Sequence, residues 1–481
     1  MTSLKKRTKI IATLGPSCME SSKLQKMLMI GTDMVRINAS HNEDASNILN
    51  LVEKVRSASR IVNKNTGVFL DLQGPKIRLG NFKENKAQLK KNQLFTLTSR
   101  HIIGSSEESH ISYENFHKDV QKNDVVYIDD GKIILVVDKI KKRDVICRVI
   151  REGLVSNHKG VNLPMTKLSI NPFTKKDEED TYNGIKAGVD YIALSFVSSA
   201  KNISNFRTFL NKNQGKNIKI IAKIERQKAL DNLNEIISEA DVIMVARGDL
   251  GVEVGIEKVP QMQKKIIHEC NKALKPVIVA TQMLESMIYS ELATRAEVSD
   301  VANAVYDNCD AVMLSGETAV GINPAQVIKI MESICETADV HLDELQDNNS
   351  IRMSVLTHSV ATSFCKAASQ VAYENQAKAI IAFTSSGNTP LISSKTKIPC
   401  PIIAPTDEDY LCRRMSIYKG VIPILLPRKF KDIVRWRDMI SLAVKECKNF
   451  GYLSKGDIVV ITAGIPIGQS NGINSIRIIT V

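Results

Sequence analysis

Two side chains of opposite charge end the apolar run "IKIIAKIERQ", residues 218–227, at a spacing that could place them at one site. Positions i and i+2 of a strand face the same side, so Lys223 and Glu225 point together if the extended backbone continues that far. A carboxylate is a suitable ligand for Mg²⁺, and an ammonium neutralises phosphoryl oxygens. The pair therefore predicts either a metal and phosphate site or a structural ion pair.

Seven other apolar, β-branched runs also end in polar residues, which predicts a larger site. If these runs are parallel strands of one barrel, their carboxyl ends meet on the face where barrel enzymes carry their active sites. The residues that follow them are Arg36, Asn38, Ser40 and His41; Asp71, with Lys76 and Arg78 beyond a Gly-Pro turn; Ser195; Arg247 and Asp249; Thr281; Ser315 and Glu317. We therefore expect cations, carboxylates and hydroxyls to converge at one mouth.

Mg²⁺ and a transferred phosphoryl group would account for the charged members of this set. Glu225 and Asp249 end neighbouring strands, and two hard oxygen ligands with room for water suit Mg²⁺ bound partly by its substrate. Lys223, Arg36 and Arg78 have the character of a clamp on a phosphoryl group. The chain contains no G-x-x-x-x-G-K-[ST] loop, which argues against an ordinary P-loop nucleotide site.

Helix patterns between the runs indicate the fold that carries them. Thr294 and Glu297 form a capping box, and Val298, Val301 and Val305 follow on one stripe. Eight strands alternating with helices predict a (β/α)8 TIM barrel in the α/β class. Residues 1–73 and 172–340 are assigned to this catalytic barrel.

Two segments do not follow the barrel pattern. Residues 74–171 have strand patterns without helices between them, which predicts an inserted all-β lid, a β-barrel domain after the third barrel strand. Residues 341–481 alternate strands and helices after the barrel count is complete, and are assigned to a C-terminal α/β regulatory domain. The acidic, Asn-rich stretch 341–350 is the predicted boundary.

Composition limits the class of protein. The nine cysteines are scattered without a C-x-x-C pair, which argues against a zinc site and for a reducing compartment. No run approaches the roughly 18 apolar residues of a membrane span, so a soluble, cytoplasmic protein without a membrane partner is expected. The net charge of +13 is dispersed and aromatic residues make up only 5%, so nucleic acid is not an expected partner.

The motifs and their order resemble the pyruvate kinase family over nearly the whole chain. They are "KIIATLGPSC", "VRINASH", "LDLQGPKIRLG", "AKIE", "VARGDLGVE", "ATQMLESMI", "TRAEVSDVANAV" and "VMLSGETA". The resemblance implies that phosphoenolpyruvate donates a phosphoryl group to ADP, giving pyruvate and ATP, with Mg²⁺ or Mn²⁺ as cofactor. It also implies a homotetramer.

Matched position by position, the resemblance implies a role for each site residue. Lys223 is similar to the lysine that stabilises the transferring phosphoryl group, and Arg36 to another phosphate contact. Glu225 and Asp249 are similar to the metal ligands. The resemblance also implies that the backbone at Gly248 and Asp249 and the side chain of Thr281 bind the substrate carboxylate. Thr281, Ser315 or Glu317 would deliver a proton through water. The implied nucleotide contacts are Asn38, His41, Arg78 and Lys176.

One departure from the family pattern concerns the monovalent cation. Potassium-dependent members carry Glu where this chain has Lys76, and Thr and Lys where it has Leu72 and Gln73. The stretch "LQGPKIR" resembles the potassium-independent branch, and a lysine ammonium near the site can supply the missing charge. We therefore expect that K⁺ is not required. The retained positions that match cation ligands are Asn38, Ser40 and Asp71.

The C-terminal domain carries a further predicted site. "FTSSGNT" resembles the family's phosphate-binding effector loop, where hydroxyls and backbone N–H groups form an anion nest, and "GIPIGQSNGIN" resembles the facing loop. The predicted effector residues are Thr384, Ser385, Ser386, Gly387, Asn388 and Thr389. Arg or Lys often follows this Gly in the family, but Asn388 does here. We therefore expect a monophosphate effector or AMP more than fructose bisphosphate, the alternative being a degenerate site without regulation.

Two other functions fit parts of the sequence. A Mg²⁺ enolate barrel, an aldolase or lyase acting on pyruvate, would need the metal carboxylates but neither the lid nor the cation clamp. A basic protein that binds nucleic acid on a barrel scaffold would need lysines clustered on one face. A steep salt dependence of DNA affinity would support that second alternative.

Overall fold

A closed barrel of eight parallel strands forms the centre of the molecule and confirms the predicted fold class. The computed structural model describes residues 6–41, 45–129, 131–164, 166, 169, 171–345, 359–432, 435–465 and 472–481. Each strand pairs with the next in chain order, and the last pairs with the first. The barrel strands are Lys9–Thr13, Met34–Asn38, Gly67–Asp71, Tyr191–Leu194, Lys219–Ile224, Val242–Ala246, Val277–Ala280 and Ala311–Leu314.

Helices follow the strands and cover the outside of the barrel. The α-helices are Ser21–Ile30, Ala45–Ile61, Lys175–Ala187, Ala200–Lys212, Gln227–Asp231, Leu233–Glu239, Arg247–Val254, Val259–Lys272, Arg295–Tyr306, Gly316–Ala319 and Pro324–Leu345. The predicted capping box is confirmed, because the Thr294 hydroxyl accepts a hydrogen bond from the Glu297 N–H. On the predicted stripe Val301 and Val305 are buried, whereas Val298 is partly exposed.

The inserted segment is built mainly from strands. Its strands are Lys86–Leu89, Leu94–Thr98, Glu108–His110, Val125–Ile128, Ile133–Lys141, Asp144–Arg151, Gly153–Ser156 and Val161–Asn162, with one short helix, Phe116–Asp119. They form a six-stranded sheet and a two-stranded sheet, and isolated bridges join residues 78–82 to other parts of the segment. The segment has its own buried core, which includes Phe95, Phe116 and Leu135. Its boundaries and its role as a lid stay predictions.

The C-terminal region forms a five-stranded sheet in which the last strand is antiparallel. In spatial order the strands are Val421–Leu425, Ile402–Thr406, Ala379–Ala382, Ile458–Ala463 and Ser475–Thr480. Its helices are Val360–Glu374, Asn388–Ser394, Asp409–Met415 and Trp436–Asn449. Ile417 of this region packs into the core inside the barrel, beside Phe69 and Tyr191. Within the described ranges, no helix is long and apolar enough to cross a membrane.

Candidate active site

The Lys223 ammonium lies in a buried ion cluster at the barrel mouth. Its Nζ is 2.9 Å from Glu225 Oε1 and 3.2 Å from Asp71 Oδ1, and it donates a 2.8 Å hydrogen bond to Ser195 Oγ. Burial alone disfavours the charged lysine, but Asp71, Glu225 and Asp249 outweigh that cost and raise its pKa. Lys223 is therefore a cation throughout the neutral pH range, on the same side of the chain as Glu225.

Asp71 joins Arg36 to this cluster. Arg36 Nε donates to Asp71 Oδ2 at 2.7 Å, and Arg36 Nη1 donates to Thr13 Oγ1 at 3.3 Å. Burial opposes ionisation of Asp71, yet Lys223 and Arg36 outweigh it and lower the pKa of this carboxyl. Asp71, which was predicted to lie in the monovalent-cation region, thus also orients two of the three cations of the predicted phosphoryl clamp, Arg36 and Lys223.

Glu225 and Asp249 supply hard oxygen atoms to the same cavity. The side chain of Glu225 is 1% exposed, and its Oε2 accepts a 2.7 Å hydrogen bond from the Phe196 N–H. A carboxylate oxygen has two lone pairs, so these contacts leave acceptor capacity for a metal. Among the described residues, no cluster of three or more His, Cys, Asp and Glu side chains could hold a metal by itself. The donor set fits Mg²⁺ completed by substrate and water, and does not fit structural zinc.

The backbone at Gly248 and the Thr281 hydroxyl form a neutral edge beside these charges. Helix Arg247–Val254 begins here and places its first N–H groups at the mouth. Thr281 Oγ1 accepts a 2.9 Å hydrogen bond from the Gly248 N–H and donates one to the Ala280 carbonyl. The φ angle of Thr281 is +72°, which is rare for a β-branched residue and shows that its surroundings hold it in place. This edge can donate hydrogen bonds to a substrate carboxylate.

Arg247 was predicted to join the cations at the barrel mouth, and the structure corrects this prediction. Its side chain supports the neutral edge and does not line the cavity. Its buried guanidinium pairs with Asp300 at 2.7 Å and donates a 2.6 Å hydrogen bond to the Thr281 carbonyl. A second bond goes to the Gln282 carbonyl at 3.2 Å. The side chain turns away from the mouth because Asp300, on helix Arg295–Tyr306, neutralises it there.

The charged and neutral edges border one cavity of about 110 Å³. The predicted site residues that line it are Arg36, Asn38, Ser40, Asp71, Leu72, Lys76, Ser195, Lys223, Glu225, Asp249, Thr281 and Ser315. The structure therefore brings the predicted metal and monovalent-cation residues together with two members of the predicted phosphoryl clamp, whereas Arg78, the third, does not line the cavity. Met244 and Met313 also line the cavity, and sequence reasoning missed them because a Met within a barrel strand has the pattern of an ordinary core residue.

Glu317 lies behind the cavity and is not part of its lining. It is 2% exposed, and its two oxygens accept hydrogen bonds from the Ser315 N–H at 2.6 Å and from the Leu284 N–H at 3.1 Å. Both contacts fix backbone at the ends of the last two barrel strands. Glu317 thus positions Ser315, whose side chain lies at the cavity.

The predicted nucleotide contacts are divided between the barrel and the inserted segment. Lys176 Nζ donates to the Ala39 carbonyl at 3.2 Å, beside the end of the second barrel strand. Arg78 donates to the His158 carbonyl at 2.9 Å, within the inserted segment, and does not line the cavity. The backbone of His41 ends a short 3-10 helix, but its side chain lies outside the described residues.

Lys76 reaches the cavity from the start of the inserted segment. Desolvation and the neighbouring Lys223 lower the pKa of its ammonium, although the Asp249 and Asp71 carboxylates act in the opposite direction. Solvent reaches much of the side chain. Lys76 therefore adds a positive charge to the region that also contains the predicted cation ligands.

Phe196 is a site residue that sequence reasoning missed. Its N–H holds Glu225 Oε2, and the Arg226 guanidinium lies 4.7 Å from the centroid of its ring. Its φ angle of +55° is an outlier for a bulky residue. An aromatic residue after an apolar strand normally predicts core packing, so no local pattern could have identified Phe196 as the group that orients Glu225.

The predicted effector loop folds around the Thr384 hydroxyl. Thr384 Oγ1 accepts hydrogen bonds from the Gly387 N–H at 2.8 Å and from the Ser386 N–H at 3.4 Å. Gly387 has φ of +87°, a conformation that favours glycine, and it precedes helix Asn388–Ser394. The exposed residues of the loop are Ser385, Ser386 and Asn388. Residues 466–471 of the predicted facing loop lie outside the described residues.

Comparison with known proteins identifies two family domains in this chain, one over the barrel and one over the C-terminal region. The family described as "Pyruvate kinase, barrel domain" matches residues 5–328, and "Pyruvate kinase, alpha/beta domain" matches residues 362–479. The chain is 38% identical to a pyruvate kinase of Sporosarcina psychrophila over 98% of this chain and 80% of that protein. It is 37% identical to a pyruvate kinase of Clostridium acetobutylicum over 98% and 99% of the two chains. A crystal structure of a pyruvate kinase from Cryptosporidium parvum superimposes with a TM-score of 0.90 at 34% identity, covering 99% of this chain and 96% of that one.

Proposed function

Because the chain belongs to the pyruvate kinase family, we propose that its barrel cavity transfers a phosphoryl group from phosphoenolpyruvate to ADP, giving pyruvate and ATP. The observation that carries this proposal is the convergence of Lys223 and Arg36 with Glu225 and Asp249 on one cavity. Phosphoryl transfer depends mostly on positioning and charge neutralisation, which this set supplies. An aldolase or lyase barrel would have no use for the two cations and is not favoured.

Lys223 and Arg36 act on the transferring phosphoryl group. Lys223 stays protonated beside Asp71 and Glu225, so it can shift its hydrogen bonds to phosphoryl oxygens as negative charge develops there. Arg36 is fixed through Nε and Nη1, which orients the rest of its guanidinium for a second phosphate contact. The two cations therefore neutralise the group during transfer.

Glu225 and Asp249 are the proposed ligands of the divalent metal, Mg²⁺ or Mn²⁺. When bound, the metal would neutralise phosphoryl oxygens and polarise the oxygen of the developing enolate. The Phe196 N–H keeps Glu225 oriented for this task. The remaining ligands would be substrate oxygens and water, as Mg²⁺ sites commonly use.

The neutral edge of the cavity binds the enolpyruvate part of the substrate and protonates it. The Asp249 N–H holds the carboxylate, and the Gly248 N–H and the Thr281 hydroxyl join it by exchanging the hydrogen bonds that they donate to Thr281 Oγ1 and to the Ala280 carbonyl. Thr281 and Ser315 are the hydroxyls that can pass a proton through water to the enolpyruvate carbon, and Glu317 positions Ser315. ADP approaches from the side of Asn38, His41 and Lys176, and Arg78 contributes when the inserted segment closes as a lid.

The test is formation of ATP and pyruvate from phosphoenolpyruvate, ADP and Mg²⁺ in sodium-free and potassium-free buffer. We expect turnover that requires all three reactants. The absence of turnover, even after K⁺ and candidate effectors are added, would contradict the proposal and favour the alternative function, a Mg²⁺ enolate barrel.

Lys76 is proposed to replace K⁺. We expect wild-type activity to change less than about twofold on addition of K⁺. The activity of Lys76→Glu should fall about tenfold or more without K⁺ and return with K⁺, because the variant removes a fixed positive charge near the cavity. Turnover is measured against K⁺ concentration at constant ionic strength. Lys83→Glu, at an exposed position of the same segment, is the control. Strong K⁺ activation of the wild type would contradict this role.

The same role predicts a pH dependence. Because the pKa of Lys76 is lowered, its ammonium is present below that pKa and is lost as the pH rises through it. K⁺ stimulation of the wild type should therefore appear as the pH is raised, at a lower pH than the titration of an ordinary lysine would give. The ratio of activities with and without K⁺ measures this effect, and a constant ratio would contradict it.

The loop around Thr384 is proposed to bind a phosphorylated allosteric effector, a monophosphate or AMP before a bisphosphate. The exposed hydroxyls of Ser385 and Ser386 would bind the phosphate, in a loop that Thr384 Oγ1 shapes by accepting the Gly387 and Ser386 N–H groups. We expect such a ligand to lower the substrate concentration for half-maximal activity, and Thr384→Val to abolish that response without changing kcat. Saturation curves with AMP, sugar monophosphates and fructose bisphosphate measure it. Identical curves with every ligand would indicate a degenerate site.

A homotetramer is proposed on the exposed apolar side chains beside the barrel mouth. Tyr289, Leu292 and Ile322 are 86%, 72% and 60% exposed, and the Ile322 N–H bonds to the Ile288 carbonyl, which joins the two segments. Such a cluster favours contact between subunits. Sedimentation should show tetramers for the wild type and smaller species for Leu292→Asp. A monomeric wild type would contradict this.

We also propose a cytoplasmic location. All nine cysteines are free, and eight are buried, which suits a reducing compartment. Cell fractionation tests this.

A further inference from the structure

A second cavity lies at the opposite end of the barrel from the active site, where the C-terminal domain meets the starts of the barrel strands. Arg7 and Asp310, which precede the first and the last barrel strand, line it on the barrel side. Lys395, Lys397 and Lys419 line it on the side of the C-terminal domain. Its volume is about 30 Å³. Four cations from two domains therefore surround a small space that the proposed reaction does not use.

Three of these cations have acidic partners. Lys395 pairs with Asp310 at 2.6 Å, and both side chains are buried. Lys419 pairs with Asp339 at 3.1 Å. The contacts of Arg7 are an ion pair with Asp343 at 2.6 Å and a hydrogen bond to the Asp339 carbonyl at 2.6 Å. The Lys395–Asp310 and Lys419–Asp339 pairs join the two domains, whereas the Arg7 contacts stay on the barrel side, with helix Pro324–Leu345.

Lys397 is the cation that remains. Its side chain makes no ion pair or hydrogen bond with any residue that the structure describes, although it lines the cavity. Its φ angle of +58° is unusual for a lysine and places it in a tight turn after helix Asn388–Ser394. Desolvation, followed by the charges of Lys419 and Lys395, lowers the pKa of Lys397. An anion in the cavity would remove this repulsion.

We propose that this cavity binds a small tetrahedral oxyanion, either free phosphate or sulfate or the terminal phosphoryl group of a monoester, through Lys397 with Lys395 and Lys419 nearby. Its volume is enough for about two water molecules, so some of the charged oxygens of such a group would replace that water beside the exposed Lys397, and a nucleotide base or sugar ring does not fit. A bound anion would contact cations of the C-terminal domain beside Arg7 of the barrel. It would therefore strengthen the contact between the two domains.

The test uses inorganic sulfate as the probe, at constant ionic strength with chloride as the balancing anion. Calorimetric titration of the full chain should show that Lys397→Met weakens one sulfate site about tenfold, the usual cost of a lost hydrogen bond to a charged group. The matched control is Lys378→Met, at an exposed lysine of the same domain. It should leave sulfate binding unchanged.

Other anion sites of the chain are distinguished by a second variant. Thr384→Val alters the predicted effector loop and should leave the Lys397-dependent sulfate site intact. Sulfate binding that is lost in Thr384→Val and kept in Lys397→Met would overturn the proposal, as would equal binding by Lys397→Met and wild type. Competition with inorganic phosphate and glycerol phosphate then identifies the natural ligand. Tighter binding of the ester indicates a phosphomonoester, and tighter binding of the free ion indicates phosphate itself.

Discussion

Replacing Lys223 with methionine should lower kcat by about 10³-fold or more. The ammonium is the cation between Asp71 and Glu225, and methionine keeps most of the length of the side chain while removing the charge that stabilises the transferring phosphoryl group. The effect should appear in kcat more than in KM, because the charge is needed most when negative charge is spread over the phosphoryl oxygens. Initial rates of ATP formation over a range of phosphoenolpyruvate concentrations measure both constants.

The control for this variant is Lys219→Met, in the same strand at the far end of the barrel. Lys219 pairs with Asp241 at 3.1 Å, so its replacement also removes an ion pair but leaves the cavity unchanged. Lys223→Met leaves two buried carboxylates without their ammonium, so we expect a lower unfolding temperature as well, recorded by circular dichroism. A folded Lys223→Met enzyme with activity within tenfold of wild type would contradict the assigned role.

Replacing Asp249 with asparagine should raise the Mg²⁺ concentration for half-maximal activity by about 10- to 100-fold and lower the rate at saturating Mg²⁺. The change removes one of the two proposed metal carboxylates at the cavity and keeps the shape of the side chain. Asp249 is partly exposed, whereas Glu225 is buried against Lys223. The Asp249 variant should therefore fold as the wild type does, and so separates metal binding from stability.

Binding of Mn²⁺, followed by electron paramagnetic resonance, gives a readout that does not depend on turnover. We expect weaker Mn²⁺ binding in Asp249→Asn and unchanged binding in Glu257→Gln, at an exposed glutamate just after the same helix. If Asp249→Asn bound Mn²⁺ as tightly as wild type and kept its Mg²⁺ dependence, Asp249 would not be a metal ligand.

Local patterns were enough to predict the fold class. Each barrel strand is a short apolar run with a polar end, and this pattern comes from burial of strands on both faces. The capping box at Thr294 could also be predicted, because it needs only residues three apart. The three central strands of the C-terminal sheet follow the same rule. The two-sheet arrangement of the inserted segment could not be predicted, because pairing between distant strands leaves no local pattern.

Local sequence patterns also predicted much of the candidate site. The spacing of Lys223 and Glu225 predicted that they lie on one side, and the structure joins them at 2.9 Å. The polar residues at other strand ends, such as Arg36, Asp249 and Thr281, meet at the same cavity because parallel strands of a barrel end on one face.

The sequence by itself therefore determined which residues reach the barrel mouth, since strand periodicity and strand ends are local properties. Only the tertiary structure decided how they act there. It placed Asp71 between Arg36 and Lys223, and turned Arg247 away to Asp300. These arrangements depend on contacts between strands and helices far apart in the chain. The left-handed backbone at Phe196 is held by such contacts as well, so no short stretch of sequence encodes it.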